Sequence, residues 1–406
     1  MISFAVPEEI QERLRFVRDT AQKLMRPQAR AYDDREHEVP WDFVNHMWDE
    51  SLRTGRSFRS GAPRSSDQAG LAAQTMVHVI ETLSWGDAGI YLCGPGAGLG
   101  GAAIEATGTP EQKQRFLARY REGKPKWASM AMTEPHCGSD TAAIRTTAVR
   151  DNGHWVLNGE KIFVTSGHKS MLDSDGLMVV WATVDPQAGR AGMKPFVVEA
   201  GTPGLRVSKL EHKLGIRASD TASVVLEDCR IPLTNLLGSE QVTEPGKGFK
   251  GAMATFDATR PSVAASALGI ARATVELVKE LLALHGVEVR YDRARNRLSA
   301  VERDLLDMEA QLRAAWLLTL KASWMMDHGL PNTIESSMCK VKAGDVVTRI
   351  TQKGVELLGP EGYSRRLLLE KWMRDAKIND IFEGTQQINM MIIARRILGY
   401  SSKELS

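Results

Sequence analysis

The sequence predicts an α+β fold in three parts: an N-terminal helical domain over residues 1–127, a central barrel-like β domain over 128–240, and a C-terminal four-helix bundle over 241–406. Three observations lead there. Apolar residues recur at helical spacing as far as about Trp127, short β-branched and aromatic runs separated by turn dipeptides continue to Gly238, and long helix-period segments follow Gly246-Lys-Gly-Phe. This order contains no βαβ alternation, which excludes a Rossmann domain. A chain of 406 residues is also too long for one simple core.

In chain order, Ile10, Leu14, Val17, Ala21 and Leu24 form the apolar stripe of a first helix. Pro40-Trp-Asp-Phe-Val-Asn-His-Met-Trp opens a second, with proline near the first turn, where its missing N–H is harmless. Ser57 to Gly70, rich in Ser, Gly, Arg and Pro, reads as loop, and Gln74 to Leu83 resumes a helix. The small residues from Gly94 to Ala103 permit close backbone approach, either to a neighbouring helix or to a ligand. Thr109-Pro-Glu-Gln is a helix start. Strands are expected at 154–157, 161–165, 176–184, 194–199 and 221–229, with turns at Asp151-Asn-Gly and Asn158-Gly. Bundle helices are expected from Phe249 to about Gly286, Ala300 to about Gly329, Asn332 to about Leu358, and Thr385 to Leu398.

The formal net charge of +2 gives no electrostatic reason to expect nucleic acid or an anionic membrane as partner. Cys93, Cys137, Cys229 and Cys339 form no CxxC pair, so neither a metal site nor a disulfide framework is indicated. No apolar run reaches the roughly 18 residues that span a bilayer. The N-terminal stretch Met1-Ile-Ser-Phe-Ala-Val-Pro-Glu-Glu lacks a signal-peptide core, and a cytoplasmic location is the expectation.

Glu383 is the residue around which the chemistry is organised. It follows Ile381-Phe382 and precedes Gly384-Thr385, so a carboxylate stands where an apolar segment meets a turn and a helix cap. Burial disfavours the charged form and would lift a glutamate from its usual value of about 4.3 toward the neutral range of a proton-abstracting base. The local pattern also fits an exposed glutamate at a helix N-terminus, where negative charge is favoured. Met132-Thr-Glu-Pro-His-Cys-Gly-Ser-Asp140 offers backbone and hydroxyl donors to a flat ring and a phosphate, and Lys161-Ile-Phe-Val-Thr-Ser-Gly167 adds an aromatic and a hydroxyl on a strand.

These two motifs, with His212-Lys-Leu-Gly-Ile-Arg-Ala-Ser and Asp220, and with Met373-Arg-Asp-Ala-Lys running to Ile381-Phe-Glu-Gly-Thr-Gln-Gln-Ile, make the sequence resemble the acyl-CoA dehydrogenase family from about Val6 to Leu398. The resemblance implies FAD, oxidation of an acyl-CoA to the trans-2-enoyl-CoA, and an electron-transfer flavoprotein as acceptor. It implies that Met132 and Thr133 meet the isoalloxazine, Ser139 the FAD phosphates, Phe163 the flavin face and Thr165 the region of N5, with Thr385 and Gln387 contacting FAD beside the catalytic loop. Glu383 falls on the family's catalytic base as the medium- and short-chain branches carry it. Other branches place the base on an earlier helix, where this chain has Thr259, which cannot serve. Arg260 matches an arginine near the active centre, and the residues alone equally fit a structural arginine capping a helix at Pro261.

The chain departs from the family's pattern at three places. Arg-x-x-Phe-Gly, which reaches FAD in a neighbouring subunit, is replaced by His285-Gly-Val-Glu-Val-Arg-Tyr-Asp-Arg-Ala-Arg-Asn-Arg, leaving Arg290, Arg293 or Arg295 as substitutes or as a solvated basic loop. Gln-x-x-Gly-Gly-x-Gly becomes Glu356-Leu-Leu-Gly-Pro-Glu-Gly362, in which Pro360 removes an N–H and Glu356 adds negative charge. Phe58-Arg-Ser-Gly-Ala-Pro-Arg stands where the family has a glycine-rich loop, a change that fits a wider acyl pocket or loop drift. The expected assembly is a homotetramer or dimer, or a hetero-oligomer in which a related subunit supplies the missing contacts.

Overall fold

The computed structural model describes residues 6–55, 70–242, 247–400 and 404, with the side chains of 247–252 left aside. The loop from Phe58 to Arg64 lies outside the described residues. Helices α1 (Glu8–Thr20), α2 (Ala29–Asp34), α3 (Trp41–Thr54), α4 (Ala72–Leu92), α5 (Gly98–Thr107) and α6 (Pro110–Leu117) precede the sheet. The stripe expected on α1 is buried at Ile10, Leu14 and Val17, against Met76, Val77 and Ile80 of α4. Pro40 occupies the cap of α3, and Thr109 and Gln112 close a reciprocal capping box on α6, the kind of end worth about 1 kcal/mol.

Strands β1 (Ala128–Ala131), β2 (Thr147–Asp151), β3 (His154–Thr165), β4 (Leu177–Thr183), β5 (Met193–Glu199), β6 (Leu205–Leu210) and β7 (Thr221–Pro232) form one sheet in the order β1-β4-β2-β3-β7-β6, with β5 on β4 and the short helix α7 (Gly167–Met171) after β3. Every residue of β4 is buried. Met178, Val180 and Ala182 face the sheet's own core while Leu177 and Val179 pack with Phe116, Ala103 and Trp48, so the strand is covered on both faces. Here the small-residue run finds its use: a Cβ on Gly100 would sit 2.7 Å from the Ala128 side chain, so α5 lies directly on β1. Helix-on-sheet packing explains those residues.

The turn expected at Asp151-Asn-Gly is present, with Asn152 and Gly153 at φ 46° and 80°. The one expected at Asn158-Gly is absent. That dipeptide lies inside β3, where the register against β7 slips between Leu157 and Gly159 and where a Cβ at 159 would meet the Thr146 side chain at 2.5 Å, so glycine is required there. The two strands read on either side of it are one.

The C-terminal bundle consists of α8 (Lys247–Leu284), α9 (Ala300–Asp327), α10 (Thr333–Tyr363) and α12 (Gln386–Leu398), with the short α11 (Leu369–Ala376) between the last two. Ala264, Leu268 and Ala271 of α8 and Ala343, Val347 and Ile350 of α10 share its core with Trp372. Pro261 lies within α8 and starts no helix.

A buried ionic cluster on α11 joins the parts. Lys371, 1% exposed, donates to Asp375 at 2.6 Å and to Asp87 at 2.5 Å, at the point where α4 breaks into an extended residue. Burial alone would lower the Lys371 pKa, but Asp375 and Asp87 outweigh it and hold the ammonium charged. Asp375 also accepts from the Ile216 N–H at 2.5 Å, and Arg374 forks onto Asp33 at 2.6 and 3.0 Å. N-terminal helices, the loop before β7 and the bundle therefore meet on one turn of helix. Among the described residues, no helix is long and apolar enough to cross a membrane.

Removing the cation while leaving both carboxylates buried should be severe: Lys371→Met is expected to lower stability by about 3–5 kcal/mol in urea unfolding, whereas Arg295→Ala, which breaks an exposed pair with Asp307, should leave the unfolding midpoint almost unchanged.

Candidate functional site

Glu383 stands in a short loop between α11 and α12 whose backbone is unusual. Glu383 and Gly384 are consecutively left-handed, at φ 55° and 83°. Glycine adopts that conformation freely, but a glutamate does so only when its surroundings hold it. Thr385 then caps α12, its hydroxyl accepting from the Ile388 N–H at 3.3 Å. Asn389, one turn on and buried, donates to the carbonyls of Gly384 at 2.9 Å and Thr385 at 3.1 Å.

The half-buried Glu383 side chain turns to α8, where Thr259 donates its hydroxyl to Oε2 at 2.9 Å. Among the described residues, Oε1 has no side-chain donor. Burial raises the Glu383 pKa, opposed by the Thr259 hydrogen bond and the charges of Arg260 and Lys340. The result is a carboxyl shifted above the ordinary glutamate value, with one oxygen anchored. Arg260 is 2% exposed and donates to Asp257 at 2.7 Å and Ser337 at 3.4 Å, so it is a charge facing the loop and caps nothing at Pro261.

The second group of expected site residues gathers at the ends of β1 and β3. Lys161, fully buried, donates to the Met132 carbonyl at 3.0 Å and to Glu134 at 2.7 Å. Glu134 accepts further from the N–H groups of Arg145 and Thr146 and from the Thr146 hydroxyl. Its desolvation is thereby outweighed and its pKa lowered, so the Met132-Thr133 turn rests on a satisfied ion pair. The Thr133 carbonyl accepts from the Ile162 N–H at 2.9 Å, which ties that turn to the strand bearing Phe163 and Thr165. Phe163 is left-handed, at φ 57°, and 60% exposed beside the buried Val164. An aromatic ring turned out of a well-packed strand, three residues before a buried Ser166 hydroxyl that has no partner among the described residues, fits a flat heteroaromatic cofactor that supplies both an apolar face and a polar edge.

Phe256 links the two groups. It packs against the cluster containing Met132, Cys137 and Trp181, and the Arg260 guanidinium lies 5.9 Å from its ring. Phe256 thus touches both groups, the first through Met132 and the second through Arg260, whose charge acts on Glu383. Ser139 and Gln387 are exposed and make no hydrogen bond to the rest of either group among the described residues.

Sequence reasoning missed Lys340, Asp257 and Phe256. Lys340 had a signal: it shares the buried face of α10 with Ser336, Ser337, Ala343 and Val347 at helical spacing, where an unpaired lysine is costly. The basic loop after α8 is tethered: Arg290 forks onto Glu302 and Arg295 onto Asp307, while Arg293 lies 3.5 Å from Asp292. Glu356 pairs with Lys353 at 2.8 Å, and the helix breaks at Gly359, where φ is 54°, just before Pro360.

Three family models match consecutive parts of the chain: "Acyl-CoA dehydrogenase, N-terminal domain" over residues 7–124, "middle domain" over 129–229 and "C-terminal domain" over 246–398. The chain is 34% identical over 407 residues to the acryloyl-CoA reductase (NADH) of Anaerotignum propionicum, covering 98% of this chain and 96% of that one. It is 34% identical over 385 residues to a short-chain specific acyl-CoA dehydrogenase of Clostridium acetobutylicum, covering 94% and 96%. The solved butyryl-CoA dehydrogenase from Megasphaera elsdenii superposes with a TM-score of 0.84 at 30% identity, covering 98% of this chain and all of that one.

Thr259→Val removes a hydrogen bond that favours the charged carboxylate, so Glu383 should take up its proton at a higher pH than in the parent protein. Infrared difference titration of the protonated carboxyl band, with Glu383→Gln marking the band, checks the direction.

Proposed function

The chain belongs to the acyl-CoA dehydrogenase family, and from that premise we propose that it oxidises a short-chain acyl-CoA to the trans-2-enoyl-CoA with FAD, Glu383 being the base that removes the α-proton. The observation that supports this most directly is the Glu383 carboxyl itself: anchored through one oxygen, free of side-chain donors at the other, and raised in pKa by burial. An α-C–H beside a thioester is a weak acid, and a base with elevated pKa, positioned within reach, removes its proton more readily than an aqueous carboxylate.

FAD bound at this site would supply the acceptor for the hydride that leaves the β-carbon. Phe163, Thr165 and the Met132-Thr133 turn would hold its ring system, and Ser139, Thr385 and Gln387 would contact the remainder. Developing negative charge on the thioester oxygen calls for a hydrogen-bond donor, and the Glu383 N–H, in a loop already fixed in an uncommon conformation, serves that role in this reading. Arg260, with Asp257 beside it, keeps positive charge close to the carboxylate before the proton moves and so favours the charged form that acts as the base.

Butyryl-CoA is the substrate we expect to be turned over well, since relatives covering almost the whole chain are named for short-chain substrates. The reductase among those relatives uses the name of the reverse reaction, and a carboxyl that takes an α-proton in one direction returns it in the other. An electron-transfer flavoprotein is the proposed acceptor. Because Arg290 and Arg295 are occupied by intrachain carboxylates, the proposed assembly with a second subunit draws its cofactor contacts from elsewhere, either in a second copy or in a related chain.

Glu383→Gln is expected to lower turnover of butyryl-CoA with an artificial electron acceptor by about 10²- to 10⁴-fold, the range for a general base, while the variant keeps its FAD. Near-normal turnover would remove Glu383 from the mechanism. The chain purified alone should hold close to one FAD per subunit if it assembles with itself. A flavin-poor preparation that fills only on mixing with a related subunit would favour the hetero-oligomer.

A further inference from the structure

A buried cation faces the catalytic loop from α10, and proton abstraction as described above makes no use of it. Lys340 is 1% exposed, and its ammonium donates to the Gly384 carbonyl at 2.6 Å. That carbonyl is also held by Asn389. Glu383 and Gly384 are the two left-handed residues, so Lys340 restrains the loop at the point where its conformation is least favourable for an ordinary side chain.

Its charge is equally well placed. The groups acting on the Glu383 carboxylate are Thr259 and Arg260 on α8 and Lys340 on α10; Asp257 and Cys339 face Arg260, and Asp380, paired with Lys377 in the turn leading to the loop, faces Lys340. Arg260 is committed to Asp257, and Asp380 pairs through one oxygen with Lys377, its other oxygen being buried without a hydrogen bond. Among the described residues, Lys340 makes no ion pair of its own, so its charge acts on Glu383 and Asp380 together. Burial brings its pKa down to about 8, against the pull of both carboxylates, and it therefore remains charged through the neutral range.

We propose that Lys340 is the positioning residue of the base: it fixes the left-handed turn that aims Glu383, and its charge helps to carry turnover to lower pH. The proposal rests on Glu383 being the base. Lys340 touches the loop and not the reacting atoms, so its signature is a displaced pH profile together with a fall in kcat.

The test is the pH dependence of kcat for butyryl-CoA in the FAD-loaded protein and three variants. Lys340→Met should lose about tenfold or more in kcat at neutral pH, and its acid limb should move up by about one pH unit, the size of effect expected when an opposite charge close to a carboxylate is removed. Lys340→Gln keeps an N–H donor for the Gly384 carbonyl without the charge. It should recover much of kcat at high pH while showing the same displaced limb. Asp380→Asn removes the competing anion and should move the limb to lower pH, an arm that stands even if neither lysine variant folds. Acid limbs that coincide with the parent's in the lysine variants, or an unmoved limb in Asp380→Asn, overturn the proposal. If Glu383→Gln abolishes turnover while the limbs stay fixed, only this inference fails, whereas persistent turnover in Glu383→Gln defeats the assignment of the base beneath it.

Discussion

The site depends on a half-buried carboxylate that no direct ion pair neutralises among the described residues. A bidentate arginine on Glu383 would hold it permanently ionised and weakly basic, and an apolar pocket would keep it protonated. The protein takes an intermediate course: one hydroxyl anchors one oxygen, and the nearby cations Arg260 and Lys340 have their hydrogen bonds on Asp257 and the Gly384 carbonyl. Burial pushes the pKa up and the two charges pull it partway back. These groups come from three elements, so the carboxyl has this environment only when α8, α10 and the loop before α12 are packed together.

Two satisfied ionic clusters hold that packing. On α11, Lys371 with Asp87 and Asp375, and Arg374 with Asp33, join the N-terminal helices and the loop before β7 to the segment that leads into Glu383. Gly215 permits the contact, since a Cβ there would lie 2.4 Å from the Arg374 backbone. In the sheet, Lys161 and Glu134 perform the same service for the Met132-Thr133 turn. Buried pairs of this kind contribute little net stability compared with apolar replacements, but they penalise misplacement heavily and so fix orientation. Phe256, one turn of α8 before Arg260, packs on the Met132 cluster and so joins the bundle to the ends of the strands.

Much of this was legible in the sequence because it is local. The long bundle helices followed from period and length, their ends falling within a few residues of the expectation apart from α10, which continues through Gly359 and Pro360 to Tyr363. Family motifs pointed to the loop around Glu383, and the structure supplies its environment. What was missed depends on distant partners. Strand β1 is four residues long, and edge strand β6 alternates weakly and is mostly exposed, so neither has much pattern to read. Asn158-Gly159 has the composition of a turn but lies within β3, where the neighbouring strand brings Thr146 against Gly159 and leaves no room for a side chain. The basic residues at 290 and 295 look free until their carboxylate partners on α9 are placed. Lys340 sits at a core position of an amphipathic helix, and only the loop packed against it shows why a charge is tolerated there.

The most direct measurement is anaerobic single-turnover mixing of the FAD-loaded protein with butyryl-CoA, unlabelled and deuterated at C2, while the flavin absorbance is followed across pH. The account predicts bleaching with a primary isotope effect and a rate that falls on the acid side, with its midpoint above the ordinary glutamate range. Rapid bleaching that ignores both C2 deuteration and pH, or no bleaching by any short-chain acyl-CoA, would contradict it.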